Sequence, residues 1–203
     1  MMTLSTKYSL LFSLLIAGTS MLVSSCSENK TGDSKEMAQQ ENIENLTADE
    51  NEIVVLDNDG PTVFLMKVAE IQLEEVSLGK LAQQKGTSSH VKELGKMMEQ
   101  DHSKSLLEVK ALAQAKAVSI PSTVTDDSKD AYEKLNGKTG NDFDKDYSAM
   151  MVRHHEDAID LFEKASSESE DAEVRAWATQ KLPGLKTHLD HAKACKEECD
   201  KLD

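Results

Sequence analysis

Between residues 61 and 200 the apolar residues recur at helical spacing in four long stretches, joined by a short link, a long link and a short link. That order of links constrains the chain more than any single motif does. Helix A runs over about 61–84, opened by Asp59-Gly60-Pro61 and stopped near Gly86. Asp59 is placed to cap it and Pro61 suits a first turn. Helix B follows Thr87-Ser88-Ser89 and reaches about 116; helix C follows Gly140-Asn141-Asp142 and reaches about 166. Helix D runs from near Glu170 to about 200, with Pro183 inside it as an expected kink. Only "IVVL" at 53–56 reads as anything other than helix or loop.

Short links force antiparallel hairpins, so A pairs with B and C with D. The B–C link, 118–141, carries Pro121 and a short helical segment, "DDSKDAYEKLN". A link of that length can cross the full height of a helical domain. The expectation is an all-α fold, a four-helix bundle of two antiparallel hairpins joined by a long crossover, which is ferritin-like connectivity.

The N-terminus belongs to a different stage of the protein's life. Lys7 precedes an apolar run, "YSLLFSLLIAGTSMLV", and then "SSC". The run is short for a membrane span and reads as an export signal. Val23-Ser24-Ser25-Cys26 resembles a bacterial lipobox, which makes Cys26 the lipidated first residue after cleavage. Residues 1–25 are then signal peptide, 26–58 an acidic flexible tether with the composition of disorder, and 59–203 the helical bundle. The formal charge of −14 argues against nucleic acid and against anionic membrane surfaces. The expected partner is the membrane through the lipid alone, in the cell envelope and at the outer membrane.

On a wheel of 100° per residue, each helix sends one titratable group inward near its middle: Glu75, His102, His154 and His188. His155 and Asp157 fall on the edges of helix C, and Lys181 faces inward on helix D. Counted from the hairpin turns, the inward groups differ in height by roughly 6 Å, within reach of one cavity. A buried carboxylate and several buried imidazoles cost several kcal/mol unless they meet each other or a ligand. Two readings follow. In one, Glu75, His102, His154 and His188 hold one transition metal ion: copper, zinc or iron. In the other, the protein is a structural or interaction module without metal, and Glu75 is neutralised by Lys181. Met98 and Met150 stand four residues before His102 and His154, a spacing that suits copper, but methionine also fills core gaps. Cys195 and Cys199 could join at a frayed helix end, bind metal or pair between chains; four residues apart in a regular helix is poor disulfide geometry. No nucleophile motif, phosphate loop or dinucleotide fingerprint marks an enzyme.

The segments "MEQDHSKSLLEVKALA", "NDFDKDYSAMMVRHHEDAIDLFEKA" and "LPGLKTHLDHAK" resemble the bacterial ferritin-like domain-of-unknown-function family numbered 4142. Its members are often labelled outer membrane proteins. The resemblance covers about 61–195 and implies a four-helix fold and an envelope location, with no activity attached. "MMVRHH" is similar to a related exported family rich in His and Met and linked to copper. The chain departs from di-iron ferritins, which place Glu-x-x-His on two helices. Glu99 to His102 supplies one such half, but Leu185 stands three residues before His188, and helix C turns His154 inward rather than a carboxylate. A mononuclear, histidine-rich site fits better than a di-iron centre.

Overall fold

The computed structural model describes residues 32–47, 57–58 and 60–201. The expected export signal, Cys26, the "IVVL" patch and the expected Asp59 cap lie outside the described residues. Among the described residues the chain is all-α: α1 (Ser34–Thr47), α2 (Pro61–Lys85), α3 (Ser89–Ala115), α4 (Asp126–Asn136), α5 (Gly140–Glu168) and α6 (Ala172–Asp200). No helix there is long and apolar enough to cross a membrane.

Local chemistry sets the ends. Pro61 occupies the first turn of α2, and the Gly86 N–H closes it on the Ala82 carbonyl. The side chains of Ser88, Thr125 and Asp171 accept from backbone N–H groups at the starts of α3, α4 and α6. Gly140 opens α5 at a φ of 58°, in the left-handed region that only glycine enters at no steric cost. The fully buried Asp144 carboxylate binds the α2–α3 turn, accepting from the Thr87 N–H at 3.0 Å and the Ser88 N–H at 2.7 Å. That one side chain fixes one hairpin's tip against the other.

The four long helices pack as two hairpins, α2 with α3 and α5 with α6, and α2 also meets α5 while α3 meets α6. Directions follow from the contacts. Between α2 and α5, Phe64 meets Phe162 and Glu75 meets His154; between α3 and α6, His102 meets His188 and Glu108 meets Trp177. Numbers rise on one partner as they fall on the other, so both pairs are antiparallel, and α3 and α5 run in the same direction. The link containing α4 therefore spans the long dimension, as the sequence predicts. The α2 and α3 backbones touch where two glycines face each other. A Cβ on Gly79 would stand 2.6 Å from the Gly95 carbonyl oxygen, and one on Gly95 would stand 2.7 Å from that of Gly79.

One element departs from the sequence reading. Residues expected to be flexible tether form α1, which has no apolar stripe. Polar groups hold it instead. The Asn42 amide is buried and pairs both ways with Ser119, donating to its carbonyl at 2.8 Å and accepting from its N–H at 2.7 Å. Lys35 pairs with Glu70 at 3.0 Å, and Asp33 accepts from the Asp126 N–H at 2.8 Å. Cys195 and Cys199 also differ from expectation: both are buried free thiols. Helix α6 stays regular to Asp200, so their side chains share one stripe instead of facing each other. Burial pushes the Cys195 thiol up to about 12.

The apolar interior is split in two. One cluster joins Leu78, Leu81, Val91, Met98, Phe143, Tyr147 and Met151 with Ala192 and Cys195; the other joins Phe64, Val68, Val109, Ala158, Phe162, Val174 and Leu185. On every long helix the residues between the two clusters are polar: Gln72 and Glu75, His102, His155, His188.

Candidate metal centre

Each long helix contributes to this polar layer from the stripe that also builds its core. On α5 the buried positions Ser148, Met151, His155, Ala158, Phe162 and Ala165 alternate in steps of three and four, and His155 lies within that series. His188 sits likewise between Leu185 and Ala192 on α6, and His102 between Met98 and Val109 on α3. The three imidazoles form a nearly equilateral triangle. Their ring centroids stand 5.5 Å apart for His102 and His155, 5.2 Å for His102 and His188, and 5.4 Å for His155 and His188. One ligand nitrogen from each lies within 4.8 Å of the other two.

The opposite nitrogen of each ring is tied down. His102 Nδ1 donates to the Gln72 amide oxygen at 2.7 Å, and His155 Nδ1 donates to the Met151 carbonyl at 2.8 Å. His188 Nε2 donates to the Asp101 carboxylate at 3.3 Å. Each acceptor fixes a tautomer, leaving a lone pair on His102 Nε2, His155 Nε2 and His188 Nδ1. Those three atoms are buried without a hydrogen-bond partner. Burial drives His102 down to about 3, and burial lowers His188 as well, so both rings are neutral at physiological pH. Neutral imidazoles with buried, unpaired lone pairs are the state a metal ion requires.

Glu75 adds a charge. Its side chain is almost fully buried, and its Oε1 accepts from His154 Nδ1 at 2.9 Å. Its Oε2 is buried and unpartnered. Burial alone would raise this carboxyl, but the His154 bond and the surrounding imidazoles hold it at about 2. Burial opposes protonation of His154, yet the Glu75 bond outweighs it and raises that ring. The two form a hydrogen-bonded pair at the edge of the layer.

Of the four residues expected to converge, Glu75, His102 and His188 are buried in the layer. His154 is not at its centre. Its side chain is 26% exposed, while His155, expected at an edge, is 1% exposed and completes the triangle. The wheel misplaced them because Met150 and Leu161, only half-buried, pulled its mean direction aside. The steps 151, 155, 158, 162, 165 were the signal for His155. Lys181 does not neutralise Glu75; it pairs with Glu108 and lies over the Trp177 ring at 5.8 Å. Met98 is fully buried in an apolar cluster against which Met150 packs. Gln72 and Asp101, which orient two of the imidazoles, carry no sequence signal beyond their position one turn from a core residue.

A family model described as Domain of unknown function (DUF4142) matches residues 56–195. No curated protein and no solved structure matches the chain.

Proposed function

Because the chain belongs to the DUF4142 family, whose description assigns no role, we propose a function from its own residues: an envelope-anchored module that binds one transition metal ion. His102, His155 and His188 are its nitrogen donors, and Glu75 stands beside them as the buried ionised carboxylate. We read the four long helices as a ferritin-like four-helix bundle, supported by the two hairpins and the parallel course of α3 and α5. The lipobox resemblance at Cys26 supports the anchor. The observation that carries the metal reading is the set of three buried lone pairs, each on a ring whose other nitrogen already has an acceptor. An isolated structural layer would be expected to bond those atoms to one another or to the backbone.

The donor set selects among metals. Three imidazoles suit zinc, iron(II) or copper(II). A divalent ion there would supply a Lewis-acidic centre inside an otherwise apolar core. The chain's own part is to hold His102 and His188 neutral, aim the three rings, and keep Glu75 ionised. One observation favours the metal-free alternative: Glu75 already has a hydrogen-bond partner in His154, whose protonation that bond favours. Calorimetric titration of the metal-stripped protein with zinc, iron(II) and copper(II) decides between them. The metal reading expects one equivalent bound and loss of that binding in a variant lacking all three histidines. Equal binding by that variant would make the layer structural.

A further inference from the structure

We propose that the end of the α3–α6 pair carries a second metal site, separate from the polar layer, which takes copper(I) through the Cys195 thiolate, the Met97 thioether and the His191 imidazole. A cavity of about 430 Å³ opens there, lined by His90, Met97, His191 and Cys195 together with Glu93 and Glu198. Four of the chain's six histidines belong to the triangle or to its Glu75 edge; the other two both line this cavity. The same cavity presents a thiol and a thioether. Sulfur and nitrogen donors of this softness select copper(I) over harder divalent ions.

The fold brings the two sulfurs to one height. His102 on α3 faces His188 on α6, and the two helices run antiparallel. Met97 stands five residues before His102 and Cys195 seven after His188. At about 1.5 Å per residue their levels differ by about 3 Å. His191 stands one turn before Cys195, on the same face of α6. Cys195 is 5% exposed and lies deepest of the three donors, Met97 is half-buried and His191 is exposed. An exposed ring turns among rotamers within nanoseconds, so an ion can draw His191 over the sulfurs. Glu93, Glu197 and Glu198 stand around the opening, with Lys201 paired to Glu198, and favour a cation over an anion. Burial pushes the Cys195 thiol up to about 12, so the resting sulfur carries its proton at neutral pH. Binding therefore exchanges one proton for the ion: the S–H bond breaks, a copper–sulfur bond forms, the proton leaves to solvent and no electron is transferred. The single charges of thiolate and copper(I) cancel, which suits a sulfur set in an apolar cluster. A divalent ion would leave a net positive charge there.

The test uses the full chain with Cys26→Ser, which leaves Cys195 and Cys199 as its only thiols. Copper(I) is titrated without oxygen against a chromophoric copper(I) chelator, and the ultraviolet charge-transfer band of a copper–thiolate bond is followed. Only a thiolate gives that band, so an ion in the histidine layer adds nothing to it. One equivalent of copper(I) is expected to build the band, with release of one proton. Cys195→Ser should abolish it, with helix content by circular dichroism unchanged. Met97→Leu, which nearly conserves volume, and His191→Gln, at an exposed position, should each weaken the affinity read from the band by about tenfold or more. No band in the chain with both thiols would overturn the proposal, as would a band that survives Cys195→Ser. Unchanged affinity in both Met97→Leu and His191→Gln would overturn it as well.

Discussion

At the scale of the residue, adjacent histidines on one helix have different work. His155 lies on the core stripe and aims a lone pair inward; His154 lies beside it and pairs with Glu75. His155→Ala should weaken metal binding by on the order of a hundredfold, at least the upper end of what loss of a supporting residue costs. His154→Ala should weaken it less, and calorimetry of the two variants side by side checks the order. Asp101→Asn, which weakens the acceptor behind His188, should cost about tenfold in metal affinity. This is also the scale at which sequence was least informative. A wheel averages over every apolar residue on a helix, whereas the three-four stepping of fully buried positions separates 155 from 154. Asp101 and Gln72 act through the second nitrogen of a ring, and nothing in a sequence shows which nitrogen is occupied.

At the scale of the element, the helices legible in advance were those with an apolar stripe and a punctuated end. The bounds of α2, α3, α5 and α6 fall within a few residues of expectation because Pro61, Gly86, Ser88 and Asp171 act locally. Helix α1 was not legible, since tertiary polar contacts hold it. Asn42→Ala should remove its clasp on Ser119 and orphan a half-buried N–H and carbonyl, costing about 1–2 kcal/mol. Urea unfolding of the variant, with far-ultraviolet circular dichroism for lost helix, is the check. The Gly79–Gly95 crossing makes an opposite demand. Gly95→Ala introduces a methyl where backbone atoms already touch, so the expected result is destabilisation by about 1–3 kcal/mol despite alanine's better helix propensity. A rise in the urea midpoint would contradict the close approach.

At the scale of the whole molecule, the polar layer ties stability to pH. In the metal-free protein His102 has a folded pKa of about 3 against 6.5 unfolded, and His188 is shifted the same way. Groups depressed on folding contribute stability that is present above the unfolded value and lost as pH falls toward the folded one. His154 is raised and acts in the opposite sense: its contribution is complete below 6.5 and lost as pH rises through its folded value. Glu75, at about 2 against 4.5 unfolded, contributes stability that is present above 4.5 and lost as pH falls from there toward 2. The expected profile of urea stability falls as pH drops below 6.5, by on the order of a few kcal/mol by pH 4. His102→Gln should flatten that fall. Saturating metal should raise the urea midpoint near neutral pH and lose that effect in acid, where protons compete for the imidazoles.

The layer has another consequence, for alignment. Two apolar clusters of similar make-up lie above and below it, and apolar surfaces alone would tolerate one helix sliding a heptad past its neighbours. Such a slide would carry an imidazole into hydrocarbon and leave Glu75 facing leucine or phenylalanine, at several kcal/mol for each stranded group. The five polar side chains are thus a registration mark. They let four interchangeable greasy stripes find one longitudinal setting, and a ligand that grips them would lock the setting it depends on.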